Sequence, residues 1–221
     1  MTLIISIGII DRTQHVFKYP HSIFIICYIK RNKPYPDREA VTLKKKAKQF
    51  AAKAHEGQKR KNSDTPYITH PVRVAERLEA AGFREELVCA GYLHDVVEDT
   101  LVELEDIELE FGPEVSRLVA AHTEDKSKSW QERKQHTIDM IKNADPEVKY
   151  LVVADKLDNL LGLEKDLREQ GEAVWEKFNA GREKQRWYNK SIASKMYVGL
   201  NKENAPDYFQ EFEKAVDRVF G

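Results

Sequence analysis

Residues 87–100 read Leu87-Val88-Cys89-Ala90-Gly91-Tyr92-Leu93-His94-Asp95-Val96-Val97-Glu98-Asp99-Thr100. Leu87, Val88, Ala90, Leu93, Val96 and Val97 make this stretch an apolar helix, so His94 and Asp95 fall at or beside the core. An imidazole buried next to a carboxylate is costly unless something pairs with both. The dipeptide alone is a weak signal, since seven histidines among 37 acids yield one readily by chance. On its own it reads equally as a pair satisfying each other and a backbone carbonyl.

Outward from this stretch the chain is helical almost without a break. One helix is expected from about Asp37, as N-cap, to His55. A loop with Gly57, Asn62, Ser63, Asp64 and Pro66 follows. Pro71 sits at the next helix start, where a missing N–H costs little, and Gly82 closes that helix. A third helix is expected over 84–97, and a short one ending at Gly112. Further helices are expected over 113–121, 130–142, from Asp145-Pro146 to about Gln170, and near 172–179, 182–200 and 207–220. The fold class is all-α. Residues 1–36 differ: they are Ile-rich with β-branched runs and read as two short strands. This leader is either a β appendage or a peptide from an upstream start, and the domain proper is expected over 37–221.

Composition narrows the function classes. The 221 residues are 41% hydrophobic and 33% charged, which fits a globular domain. Lys and Arg number 36 against 37 Asp and Glu, a balance that disfavours broad nucleic-acid binding. The apolar runs at 3–10 and 23–29 fall far short of the ~20 residues of a spanning helix, so no membrane partner is expected. Cys27 and Cys89 form no disulfide framework, and a cytoplasmic setting follows.

Three further segments add chemistry. His70 lies in Pro66-Tyr67-Ile68-Thr69-His70-Pro71, at a helix start. Asp155 lies in the apolar run Val152-Val153-Ala154-Asp155-Lys156-Leu157-Asp158-Asn159-Leu160, where an acid usually needs a cation. His70, His94, Asp95 and Asp155 suit a six-coordinate Mn²⁺, Fe²⁺ or Mg²⁺ with two positions left for water and a phosphate oxygen. Glu98 is one turn beyond His94 and, with Asp99, places carboxylates beside such a metal for proton transfer. The alternative for these two acids is a cap on the turn at Thr100. Arg60 and Lys61 form a basic loop suited to a base or phosphate, or simply a solvated one. His55 at a helix end is read as serving the helix dipole. The segment 123–128 leads to Arg133 and Lys134. Asn159 shares a helix face with Asp155 and either binds substrate or bonds internally.

In this order His70-Pro71, His94-Asp95, Glu98-Asp99-Thr100 and 154–159 resemble the hydrolase domain of RelA/SpoT-type proteins, and more so the small stand-alone alarmone hydrolases. Segments 54–61, 66–75, 111–112, 118–119 and 123–134 fit the same pattern, so the resemblance runs from about Lys44 to Leu200. It implies an HD-domain helical bundle with a Mn²⁺ ion that hydrolyses the 3′-pyrophosphate of ppGpp or pppGpp to GDP or GTP and pyrophosphate. It implies His70, His94, Asp95 and Asp155 as metal ligands and Glu98 and Asp99 as the catalytic acids. Substrate contacts are expected at Arg60, Lys61 and Asn159, with Tyr188, Lys126, Arg133 and Lys134 as further candidates. Leu161 stands where the family often has Arg, Gly162 follows it, and position 158 is Asp rather than His or Tyr. These departures bear on the substrate more than on the chemistry. The synthetase region of the long members has no counterpart. The alternatives are an HD phosphohydrolase for another nucleotide, such as NADPH or a nucleoside polyphosphate, and a non-catalytic nucleotide-binding module.

Overall fold

The computed structural model describes residues 42–61, 63–178 and 180–221. The chain divides into Met1–Glu39 and Ala40–Gly221. The expected leader strands, Cys27, Asn62 and Asp37 lie outside the described residues. The described elements are helices: α1 Leu43–Ala54, α2 Thr69–Ala80, α3 Glu85–Leu93, α4 Val96–Asp99, α5 Leu104–Phe111, α6 Pro113–His122, α7 Trp130–Asn143, α8 Pro146–Gln170, α9 Gly181–Lys195 and α10 Asp207–Phe220, with 3₁₀ turns at Gly171–Lys177 and Lys202–Asn204 and one isolated β-bridge between Lys59 and Pro66. None of these helices is long and apolar enough to cross a membrane.

The helix boundaries follow local chemistry. α1 is capped by Thr42, whose hydroxyl accepts from the Lys45 N–H, so the described start lies later than the expected Asp37 cap. Ser129 and Glu132 form a capping box on α7. The Asp145 side chain accepts from Val148 N–H at 3.1 Å, and Pro146 opens α8. The expected helix over 182–200 stops at Lys195, and the one over 172–179 is a 3₁₀ segment.

α8 is the central element. Leu151, Val152, Val153, Ala154 and Leu157 are fully buried, as a helix enclosed on most sides requires. It packs on α2, α6 and α10, while α3 packs on α1, α2 and α6. Phe209, Phe212 and Phe220 of α10 are buried against this core, each contributing about 1.5–3 kcal/mol. α2 and α3 approach closely because Gly91 has no side chain: a Cβ there would lie 2.9 Å from the Ala75 Cα.

The expected continuous helix over 84–97 is broken between α3 and α4, at His94 and Asp95. His94 Nδ1 lies 2.9 Å from the Gly91 carbonyl, so the side chain occupies an acceptor that the helix ladder would use. Successive residues of a continuous helix point about 100° apart. The break lets two neighbours in sequence aim at one point.

Candidate metal centre and substrate cavity

Five side chains from four parts of the fold converge. His70 comes from the first turn of α2, His94 and Asp95 from the α3–α4 break, His122 from the last residue of α6, and Asp155 from the middle of α8. His70 Nε2 lies 3.2 Å from Asp155 Oδ1, 3.4 Å from Asp95 Oδ2 and 3.2 Å from His94 Nε2. His94 Nε2 lies 3.1 Å from Asp95 Oδ2. Two triads, His70–His94–Asp95 and His94–His122–Asp155, each place their ligand atoms within 4.8 Å of one another. The four expected ligand residues are thus brought together, and His122 joins them.

The donor set fits a cation. The outer ring nitrogens are engaged by acceptors: His94 Nδ1 donates to the Gly91 carbonyl, and His70 Nδ1 donates to Asp158 Oδ2 at 2.7 Å. This fixes each ring so that its Nε2 is the atom that would face a metal. Burial pushes the His70 imidazole down, but Asp155, Asp158 and Asp95 overcome it and raise it to about 10. Such a cluster of acids demands positive charge at its centre. His122 stacks on His94, ring centroids 4.9 Å apart. Its Nε2 is buried without a hydrogen-bond partner, although it lies 3.0 Å from Asp155 Oδ2. Burial and the neighbouring His94 lower its pKa to about 3, which keeps the ring a neutral ligand. His70, His94, His122, Asp95 and Asp155 would hold a divalent metal ion.

Asp158 fixes the edge of this centre. It is buried, and besides His70 it accepts from Arg73 Nε at 2.7 Å and Nη2 at 2.9 Å. The sequence departure at 158 therefore turns its carboxylate inward to a ligand. Lys156 Nζ lies 2.6 Å from Asp155 Oδ2, a further countercharge.

The acid pair sits beside the cluster on the single turn α4. Glu98 Oε2 accepts from Glu124 N–H at 3.3 Å. Burial, then the nearby Glu124 and Asp95 charges, raises its pKa above the ordinary value. Asp99 accepts from Lys126 Nζ at 2.6 Å and from the Tyr67 hydroxyl at 3.3 Å, and the same hydroxyl lies 2.6 Å from Asp95 Oδ2. Capping of this turn falls to Thr100, whose hydroxyl donates to the Val96 carbonyl at 2.7 Å and accepts from Val102 N–H. Neither acid is the cap that reading of the turn allowed.

A cavity of about 660 Å³ adjoins the centre, and its walls include Lys156, Asp158 and Asn159. Asn159 links the two regions: its Nδ2 donates to Asp155 Oδ1 at 2.6 Å, and its Oδ1 accepts from Arg60 Nη2 at 2.9 Å. Arg60 also lies over the Tyr67 ring, and Lys61 over the Phe178 ring at 4.5 Å. The basic loop that carries them is held closed: Arg60 N–H donates to the Thr65 carbonyl and Tyr67 N–H to the Gln58 carbonyl. His55, expected to serve the α1 dipole, is buried; its Nδ1 lies 2.8 Å from Gln58 Oε1, and its ring packs on Tyr67.

Lys134 and Tyr188 line the cavity as well, with Lys134 Nζ 5.2 Å from the Tyr188 ring and 2.6 Å from Glu124 Oε1. Lys126 and Arg133 are not in its walls. Lys126 is engaged by Asp99, and Arg133 Nε lies 3.5 Å from Glu124 Oε2. The structure thus gathers Arg60, Lys61, Lys134, Asn159 and Tyr188, and leaves those two outside.

An HD domain is matched over residues 47–185. The chain is 44% identical over 119 residues to the guanosine-3′,5′-bis(diphosphate) 3′-pyrophosphohydrolase MESH1 of Drosophila melanogaster, covering 52% of this chain and 66% of the relative. It is 43% identical over 120 residues to the human protein of the same name, covering 53% and 67%. The chain thus spans about two thirds of the length of these relatives. Two solved structures are similar. One, from Listeria monocytogenes, is 48% identical with a TM-score of 0.66, covering 68% of this chain and 98% of the other. The second, a metazoan ortholog of SpoT described as hydrolysing ppGpp, is 32% identical with a TM-score of 0.65, covering 85% and 97%. A metal-ready His and Asp cluster, the all-helical fold and these matches agree: the chain belongs to the HD-domain family, among its SpoT-type members.

Proposed function

We propose that this chain is a Mn²⁺-dependent pyrophosphohydrolase that cleaves the 3′-pyrophosphate of guanosine tetra- or pentaphosphate, releasing GDP or GTP and pyrophosphate. The observation that carries this reading is the Arg60–Asn159–Asp155 chain of hydrogen bonds, which joins a cationic cavity to the metal centre. The names of its relatives support the same substrate. The activity resides in the helical domain from residue 37 onward, in the cytoplasm.

When bound, the divalent ion supplies Lewis acidity to a phosphoryl oxygen and lowers the pKa of water. His70, His94, His122, Asp95 and Asp155 would hold it, with Asp158 and the Gly91 carbonyl orienting two of the rings. Hydrolysis adds one water across the bond between the ribose 3′-oxygen and the pyrophosphate. A carboxylate of the Glu98–Asp99 pair takes the proton that the water gives up. Glu98, with its raised pKa, is suited to pass a proton to the leaving 3′-oxygen. Asp99 is oriented by Lys126 and Tyr67. Arg60 presents a planar guanidinium for stacking on guanine, and Lys61 and Lys134 present charge to phosphate.

Product analysis tests the reading. With ppGpp and Mn²⁺, GDP and pyrophosphate should appear in equal amounts. Release of orthophosphate, or cleavage at the 5′ side, would contradict it.

A further inference from the structure

α2 and α8 run in the same direction and in register from the metal centre outward. His70 meets Asp155, and three residues further along each helix Arg73 meets Asp158. Seven residues along, the same register sets Arg77 against the stretch of α8 around Gly162, and both residues line the cavity. At 1.5 Å per residue, Arg77 lies roughly 10 Å beyond His70 along α2.

Arg77 has one donor that the fold leaves unmet. Its Nη1 is buried and has no hydrogen-bond partner. A buried guanidinium donor without an acceptor costs free energy, so native proteins rarely leave one unless a ligand or water completes it. Arg73 is already committed to Asp158, which keeps that acid from neutralising Arg77. Across the cavity, Leu161 and Gly162 offer no charge. A Cβ at Gly162 would have only Arg60 Nη2 within 4 Å, at 3.7 Å, so the wall there is open. Lys165, one turn further, is already paired with Glu169 at 3.8 Å, and Asp166 shares that wall, so Arg77 is the cation with an unmet donor there.

We infer that Arg77, backed by Arg73, forms a second anion subsite at the outer end of the cavity, which takes the 5′-polyphosphate arm of the substrate whose 3′-pyrophosphate is cleaved at the metal. This rests on the function proposed above. It also accounts for the departure at Leu161: the cation that α8 lacks is supplied from α2. Placed along the aisle, a nucleotide with phosphates at both ends of its ribose sets one end at the metal and the other near Arg77. A nucleotide with phosphate at one end only leaves Arg77 Nη1 without an acceptor.

The test compares two substrates on the Mn²⁺-loaded full chain: ppGpp, and guanosine 3′-diphosphate with a free 5′-hydroxyl. R77M should raise KM for ppGpp about tenfold or more, the scale of a charge-assisted hydrogen bond lost from a buried donor, with kcat little changed. KM for the 5′-hydroxyl compound should stay as in the wild type. R77Q is measured alongside, so a packing failure of one variant leaves the other to decide. An unchanged KM for ppGpp, or equal effects on both compounds, overturns the subsite while the function stands. Failure of the wild type to cleave either compound overturns the function and the subsite together.

Discussion

His70 and Asp158 are joined by a 2.7 Å contact between imidazole Nδ1 and a carboxylate oxygen, and Arg73 donates to both oxygens of that carboxylate. The pair fixes the ring of a metal-facing histidine and presents its Nε2 to the centre. Asp158→Asn should therefore weaken metal affinity by about 10–100-fold, the usual scale for a partner of a ligand histidine. Arg73→Met should weaken it less. Metal titration followed by calorimetry checks this, and unchanged affinity in Asp158→Asn would show that His70 needs no such support.

His122 provides a separate test of the centre. Its orphaned Nε2 and its contact with Asp155 predict that His122→Ala binds metal more weakly than the wild type. Asp155→Ala should lose metal and thermal stability together, because the remaining ligands lose their charge balance. Chelation of the wild type should lower Tm, and added Mn²⁺ should restore it. Full occupancy in His122→Ala would confine the centre to the other four residues.

Glu98→Gln should lower turnover by roughly 10²–10⁴-fold while leaving metal and substrate binding near wild type. Thr100, not Glu98, caps α4, so this substitution should cost little stability. Ordinary kcat in the variant would remove Glu98 from the chemistry.

Gly91 allows the close approach of α2 and α3 that brings His70 and His94 together. Gly91→Ala forces a Cβ to within 2.9 Å of the Ala75 Cα, an overpacking that costs about 1–3 kcal/mol. Denaturant unfolding should show the loss, and metal affinity should fall with it. A variant as stable as the wild type would mean the two helices have room to separate.

Helix identities were legible wherever capping residues punctuate apolar periodicity, as at Asp145 and Gly112. The break at His94 was not, because propensity continues straight through Leu93-His94-Asp95-Val96, and the side-chain bond to Gly91 that accompanies the break leaves no mark in the sequence. The grouping of His70, His94, Asp95 and Asp155 was legible from acids and imidazoles set in apolar runs. His122 went unread: a lone histidine at a helix end carries no local sign that a partner waits 33 positions later. Asp158 was read as a change at the nucleotide side, because an i+3 spacing from Asp155 does not reveal that its carboxylate turns toward His70. Lys126 and Arg133 were read as substrate cations; that Asp99 and Glu124 pair with them is not visible in the sequence.

The most direct measurement offers the Mn²⁺-loaded protein ppGpp, pppGpp, GTP, dGTP, ATP and NADPH at equal concentration and follows pyrophosphate and orthophosphate separately. The metal centre joined to a cationic cavity predicts that ppGpp and pppGpp release pyrophosphate fastest. Release of orthophosphate from NADPH alone, or turnover confined to ordinary triphosphates, would contradict the alarmone reading and leave a metal-dependent HD phosphohydrolase of another substrate.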